Sequence, residues 1–83
     1  MRVTVRLFAR LREAAGRGEC ACEVADGASV GDVWRALLQD YPGLAPYGAS
    51  VSAAVNADFA KTTALVHDGD EVAFLPPVSG GGA

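Results

Sequence analysis

The chain has 83 residues, of which 51% are hydrophobic and 20% charged, a balance that fits one small globular domain and excludes a disordered acidic tail. A domain of this length buries roughly 60% of the surface its unfolded chain exposes, enough for a single core. The net charge is −3, with Arg2, Arg6, Arg10, Arg12 and Arg17 against Glu13 at the start and only Arg35 and Lys61 against nine acids afterwards; nucleic acid, which needs a basic face, is therefore not an expected partner.

Val3, Val5 and Leu7 alternate with Arg2, Thr4 and Arg6, the period of a strand with one buried face. The same parity sends Phe8 to the opposite, outward face, where a large ring marks an interface residue. Ala9 to Ala15 reads as a short helical turn closed by Gly16 in a left-handed cap. A second strand, from Glu19 to Ala25, then closes a hairpin. In it Cys20, Cys22 and Val24 share one face, and the cysteines act as small buried hydrophobes. Neighbours on one strand face have poor disulfide geometry, and a metal site would need ligands beyond the single histidine, His67.

Ser29 precedes an apolar stripe of Val30, Val33, Trp34, Leu37, Leu38 and Tyr41, which predicts an amphipathic helix of about three turns. Ser29 is its N-cap, and Asp32 places a negative charge where the helix N-terminus favours one. Pro42 and Gly43 end the helix, and the stretch to Ser50 reads as a loop. Val51, Ala53 and Val55 suggest a third strand, broken by turn-forming residues from Asn56 to Asp58, with an irregular piece after Phe59. The Asp-Gly turn of His67-Asp68-Gly69-Asp70 leads into a last strand, Glu71 to Leu75; His67 reads as a solvated turn residue.

Strand, strand, helix, strand, strand describes an α+β domain of the β-grasp plan, a mixed sheet with one main helix on one face. No short hairpin can join the first and last strands, so they are expected to pair in parallel at the sheet centre. That pairing would bring Phe8 and Leu75 together on the uncovered face, with Phe59, as an exposed apolar patch of the kind that marks a partner site.

Within the folded body, 1–77, nucleophile, base and orienting group cannot be assembled from one histidine and two strand cysteines, and no glycine loop opens a helix for phosphate. The chemistry therefore points to the tail, 78–83. Pro76 and Pro77 hold an extended course, and Val78, Ser79, Gly80 and Gly81 form a thin segment able to enter a narrow tunnel. On composition alone a frayed terminus is the favoured reading of this end. With no uninterrupted apolar stretch for a secretory signal, no membrane span and too few cysteines for a disulfide scaffold, a cytoplasmic setting is expected.

Phe8-Ala9-Arg10-Leu11-Arg12-Glu13, Ala54-Val55-Asn56 and the long run from Asp68 to Gly81 resemble the small, sulfur-carrying subunits of molybdopterin synthase over essentially the whole chain. The thiamine-pathway sulfur carriers share the fold and the Gly-Gly end but not the long C-terminal motif. The resemblance implies a ubiquitin-like protein with no bound cofactor. Its Gly81 carboxylate is adenylated by a ubiquitin-activating-like enzyme using ATP and Mg²⁺, then converted to a thiocarboxylate by a sulfur-donor system. The activation has a physical reason: a carboxylate ionised at neutral pH is a poor electrophile until it gains a leaving group. The resemblance further implies that the tail inserts into the large synthase subunit, in a heterotetramer, where catalytic side chains turn cyclic pyranopterin monophosphate into a dithiolene. Phe8, Phe59 and Leu75 match the family's apolar contact surface, Arg12 a polar position near it, and Pro76 to Gly80 the inserted arm. Gly82 and Ala83 depart from the family's Gly-Gly end. They are removed together, or Ala83 alone is removed and leaves Gly82 as the reactive end, or they are additions to the native chain; removal of both is the expectation adopted. The alternatives are a sulfur carrier of the thiamine or another pathway, and, from another class, a binding or modifier module without a sulfur role.

Overall fold

A computed structural model describes residues 1–48 and 50–76; the expected tail, 78–83, and Pro77 lie outside the described residues. Period-two alternation gives β1, Arg2–Leu7, whose Val3, Val5 and Leu7 are buried while Arg2 and Arg6 are exposed. The chain turns at Phe8-Ala9 into α1, Arg10–Ala15, which drops Leu11 into the core. Gly16 caps α1 in the left-handed conformation, φ 80°, its N–H donating to the Arg12 carbonyl at 2.9 Å. β2, Glu19–Glu23, pairs antiparallel with β1 and stops two residues before the predicted Ala25, since Val24 N–H already bonds the Met1 carbonyl where β1 begins.

α2, Val30–Asp40, starts from a reciprocal cap: Ser29 Oγ accepts from the Asp32 N–H at 3.2 Å, and Asp32 Oδ2 accepts from the Ser29 N–H at 2.9 Å. Its stripe of Val30, Val33, Trp34 and Leu37 covers one face of the sheet, where the Trp34 and Phe74 rings meet at 5.0 Å and 60°. Residues Pro42–Tyr47, expected as loop, instead wind into a 3₁₀ helix. Pro42 begins it, and buried Leu44 anchors it to the core.

β3, Ser52–Val55, and β4, Asp58–Ala60, form a two-residue hairpin where the sequence suggested only one strand and an irregular piece. Both turn residues, Asn56 and Ala57, have positive φ, 50° and 73°, the twist that suits a tight hairpin. β5, Glu71–Leu75, runs parallel to β1 from Thr4↔Glu71 to Leu7↔Phe74, and antiparallel to β3. The sheet order is therefore β2-β1-β5-β3-β4, with the first and last strands adjacent at the centre as expected. The fifteen buried apolar side chains among the described residues form one core. Among the described residues no helix is long and apolar enough to cross a membrane.

Candidate functional site

The helices cover one face of the sheet, and register decides what lines the other. Phe59 pairs with Ala54, Ala54 with Ala73, Ala73 with Arg6, and Arg6 with Glu19, one outward row across all five strands. The alanines leave the middle of that row low, and Phe8 and Leu75 close its upper end. A trough of about 320 Å³ results, lined by Arg6, Phe8, Ala54, Ala57, Phe59, Glu71, Ala73 and Leu75. Phe8 is 40% and Phe59 88% exposed, an arrangement that leaves apolar rings in water unless something covers them.

Charge borders the trough on its β1 side. Arg6 Nη1 lies 3.7 Å from Glu71 Oε2 and its Nε 4.0 Å from Glu19 Oε1, while its guanidinium carbon is 5.9 Å from the Phe8 ring centroid. Such exposed pairs contribute about 1 kcal/mol or less each, so their effect is to order the rim and not to hold the fold. Arg6 was missed as a site residue by the sequence reading, although β1 parity already placed it outward beside Phe8. Ala54, Ala57, Ala73 and Glu71 were missed because their contribution is shape and register, which composition does not carry.

The expected residues divide plainly. Phe8, Phe59 and Leu75 come together on the trough. Arg12 does not line it: exposed on α1, its side chain lies over Gly18, where an added Cβ would meet Arg12 Cδ and Nε at 3.3 Å. Pro76 follows β5 directly and is half-buried. Pro77, Val78, Ser79, Gly80, Gly81, Gly82 and Ala83 lie outside the described residues.

The Asp68-to-Glu71 motif has a structural task at the start of β5. Asp68 Oδ1 accepts from the Arg2 N–H at 2.7 Å, and the Gly69 N–H donates to the Arg2 carbonyl at 2.8 Å, fixing the start of β1. Asp70 accepts from the Asn56 side-chain amide at 3.0 Å and from the His67 N–H at 2.8 Å. These two donors hold its carboxyl below the usual carboxylate range. His67 itself is exposed at the turn. Cys20 and Cys22 are free thiols, and burial pushes both above their ordinary range, so neither is an activated nucleophile. Among the described residues no group of three or more His, Cys, Asp or Glu is arranged to hold a metal.

A five-stranded sheet in the order β2-β1-β5-β3-β4, with a helix on one face and an open apolar trough on the other, defines a ubiquitin-like β-grasp protein. The chain belongs to the ThiS family, whose model matches residues 5–81. It is 40% identical over 84 residues to the molybdopterin synthase sulfur carrier subunit of Mycobacterium tuberculosis, covering 98% of this chain and 99% of that protein. Its fold is similar to the crystal structure of SAMP1 from Haloferax volcanii, with a TM-score of 0.86 at 31% identity over 95% of this chain and 98% of the other. It is also similar to one chain of the complex of subunits 1 and 2 of molybdopterin-converting factor from Helicobacter pylori, with a TM-score of 0.66 at 25% identity over 94% and 96% of the two chains.

Proposed function

We propose that this protein is the sulfur carrier of molybdopterin synthesis. The observation that carries the reading is the continuity of β5: its outward residues Ala73 and Leu75 form part of the trough, and the next residue, Pro76, begins the run toward Gly80 and Gly81. The strand that gives Ala73 and Leu75 to the docking surface is thus the one that precedes Gly80 and Gly81 in the chain, so a partner that covers Phe8, Phe59 and Leu75 is placed to receive the tail. The family match and the similarity to a relative named as this carrier support the pathway. The assembly belonging to this reading is a heterotetramer; the complex of subunits 1 and 2 supports a large synthase subunit as that partner. Its side chains would act on cyclic pyranopterin monophosphate, while this chain supplies sulfur and position.

The chemistry of the end follows from an ionised α-carboxylate being a poor electrophile. An adenylyltransferase joins the Gly81 carboxylate to the AMP part of ATP, with Mg²⁺ bound to the phosphates and pyrophosphate leaving. Sulfur at the hydrosulfide level then attacks the acyl carbon and AMP leaves, giving a thiocarboxylate. Removal of Gly82 and Ala83 comes first. Pro76 to Gly80 are the inserted arm, and Arg12 is an outlying polar contact beside the docking face.

The test is to incubate the chain ending at Gly81 with its activating enzyme, ATP, Mg²⁺ and a sulfur donor, and to read intact mass. An oxygen-to-sulfur gain that disappears when Gly80 and Gly81 are deleted is expected; no gain, with the adenylate formed, overturns the reading. The similarity to a protein named as a modifier favours one second reading, attachment of Gly81 to a lysine amine. That reading requires covalent adducts of the chain to other proteins, recoverable from its own cells.

A further inference from the structure

A second cavity, of about 700 Å³, opens on the helix side of the sheet, between β3–β4 and α2. Trp34 and Phe74 form its apolar floor, Arg35 lines it from α2, and Lys61 from the residue after β4. Arg35 and Lys61 are the only arginine or lysine after Arg17, in a stretch that also holds nine acids, and none of those acids lines the cavity. Arg35 is paired with Asp32, whereas Lys61 has no ion-pair partner among the described residues. The acidic part of the chain has thus set both of its cations on one apolar groove and kept every carboxylate out of its lining, which is complementary to an acidic, partly apolar occupant.

The floor carries a further donor. Trp34 is only 8% exposed, and its Nε1 donates to no acceptor among the described residues. No described side-chain nitrogen or oxygen sealed from solvent lacks a partner, so the indole N–H meets solvent. Gly48, which also lines the cavity, keeps it open: a Cβ there would sit 3.2 Å from Nε1. The backbone of Gly48 is ordinary right-handed helix, φ −57° and ψ −35°, so what a larger residue would take away is the room in front of the indole. A neutral donor on an apolar floor, with a cation on each flanking element, matches a main-chain carbonyl in a segment that also bears carboxylate and apolar side chains.

We propose that this groove is a second interaction surface, separate from the trough, and that it takes an extended acidic segment of a partner protein. Carboxylate side chains of that segment meet Lys61 and Arg35, an apolar side chain covers the Trp34–Phe74 floor, and a main-chain carbonyl accepts from the Trp34 indole. Exposed charge pairs contribute little singly, so binding needs these contacts together. Trough and groove lie on opposite faces of the sheet, and Lys61 and Arg35 line only the groove, so a partner on the trough leaves both cations available.

The test titrates the full chain, followed by ¹⁵N–¹H spectra, with a short capped peptide of alternating glutamate and leucine and with its glutamine counterpart. The acidic peptide is expected to shift the Trp34 indole and the amides of Arg35, Gly48, Lys61 and Thr62, leaving β1 and β2 unmoved, and the glutamine peptide to bind about fivefold or more weakly. Lys61→Glu, at an exposed site, should weaken the acidic peptide by about five- to twentyfold, one exposed ion pair lost and a repulsion of similar size gained, while capture of the large subunit stays unchanged. Gly48→Ala, which closes the space before the indole, should weaken the peptide with Lys61 intact; unmoved amides elsewhere show that each variant is folded. Silent groove signals at millimolar peptide overturn the proposal, as do equal affinities for the two peptides or shifts confined to Phe8, Ala73 and Leu75, which would put the peptide on the trough. So do groove shifts produced as readily by inorganic phosphate, by raising the concentration of the chain alone or by ending it at Pro76, which would assign the groove to a small anion, a second copy or the chain's own end. Loss of large-subunit capture in Lys61→Glu would merge groove and trough into one interface and equally overturn it.

Discussion

Asn56 and Asp70 join the β3–β4 turn to the turn that precedes β5: the Asn56 amide donates to Asp70 Oδ1 at 3.0 Å, while Asn56 Oδ1 accepts from the Glu71 N–H at 3.0 Å. The backbone completes the clasp, with the Asn56 N–H donating to the Glu71 carbonyl at 2.8 Å. The β3–β4 turn, and with it Phe59, is thereby held in register against β5. Asn56→Ala removes both side-chain bonds at a residue whose positive φ alanine resists, and is expected to cost about 1–3 kcal/mol, read as a lower urea midpoint at unchanged slope. An unchanged midpoint would mean that the clasp contributes nothing to the fold.

Acid should unlock the same clasp. Hydrogen bonds from Asn56 and the His67 N–H depress the Asp70 carboxyl, and those from Ser29 depress Asp32. Between the folded and unfolded values the unfolded chain binds the proton and the native chain does not, so stability rises with pH there. The contribution is complete above the ordinary carboxylate range, near pH 4 to 5, and is lost as pH falls through that range toward the lower folded values. Asp70→Asn should flatten the acid limb of a plot of denaturation midpoint against pH; an equally steep limb counts against this assignment.

Phe59 and Phe74 should behave oppositely. Phe59→Ala removes an exposed ring and is expected to change stability by less than about 0.5 kcal/mol, while weakening capture of the large subunit by about 2 kcal/mol or more, some thirtyfold. Phe74→Ala empties the core beneath Trp34 and should cost about 3–5 kcal/mol of stability. Calorimetric binding beside thermal melting separates the two, and full-strength binding by the Phe59 variant would remove the trough from the interface.

Two alanines, Ala57 in the trough and Ala9 next to one of its lining residues in sequence, hold backbone conformations that glycine tolerates better. Ala57 has φ 73°, and Ala9, directly after Phe8, has φ 52° and ψ −125°. Ala57→Gly and Ala9→Gly should each relieve more strain than they add in unfolded-state entropy, raising stability by about 0.5–1 kcal/mol. Lower melting temperatures in both variants would show that the strain is not there.

Burial raises both thiols, so the native protein should react slowly with iodoacetamide at pH 8. Modification of Cys22, the more enclosed of the two, is expected to be on the order of tenfold slower than in urea, followed by mass spectrometry. Equal rates would contradict the buried, structural role.

Much of this protein is written locally. The alternation of Val3, Val5 and Leu7, the Ser29 cap with its apolar stripe, and Gly16 as a left-handed stop depend on neighbours a few residues away, and such periodicities survive in the one-dimensional chain. The outward parity of Phe8 and Leu75 belongs to the same class. β4 was not legible, because three residues, Asp58-Phe59-Ala60, are too few to display a period and become a strand only when β3 pairs with them. The 3₁₀ helix after Pro42 was equally hidden, since Leu44 needs a core to turn toward.

What sequence alone determined was which side of each long element meets water, and that a narrow glycine-bearing end follows the last strand. Tertiary structure decided which outward residues become neighbours: Phe59 reaches the trough through Ala54 and Ala73, and Lys61 and Arg35 face one groove though 26 positions separate them in the chain. The physical reason is that parity is set by backbone geometry within a strand, whereas adjacency is set by hydrogen bonds between strands as distant as β1 and β5, formed only when the whole core closes.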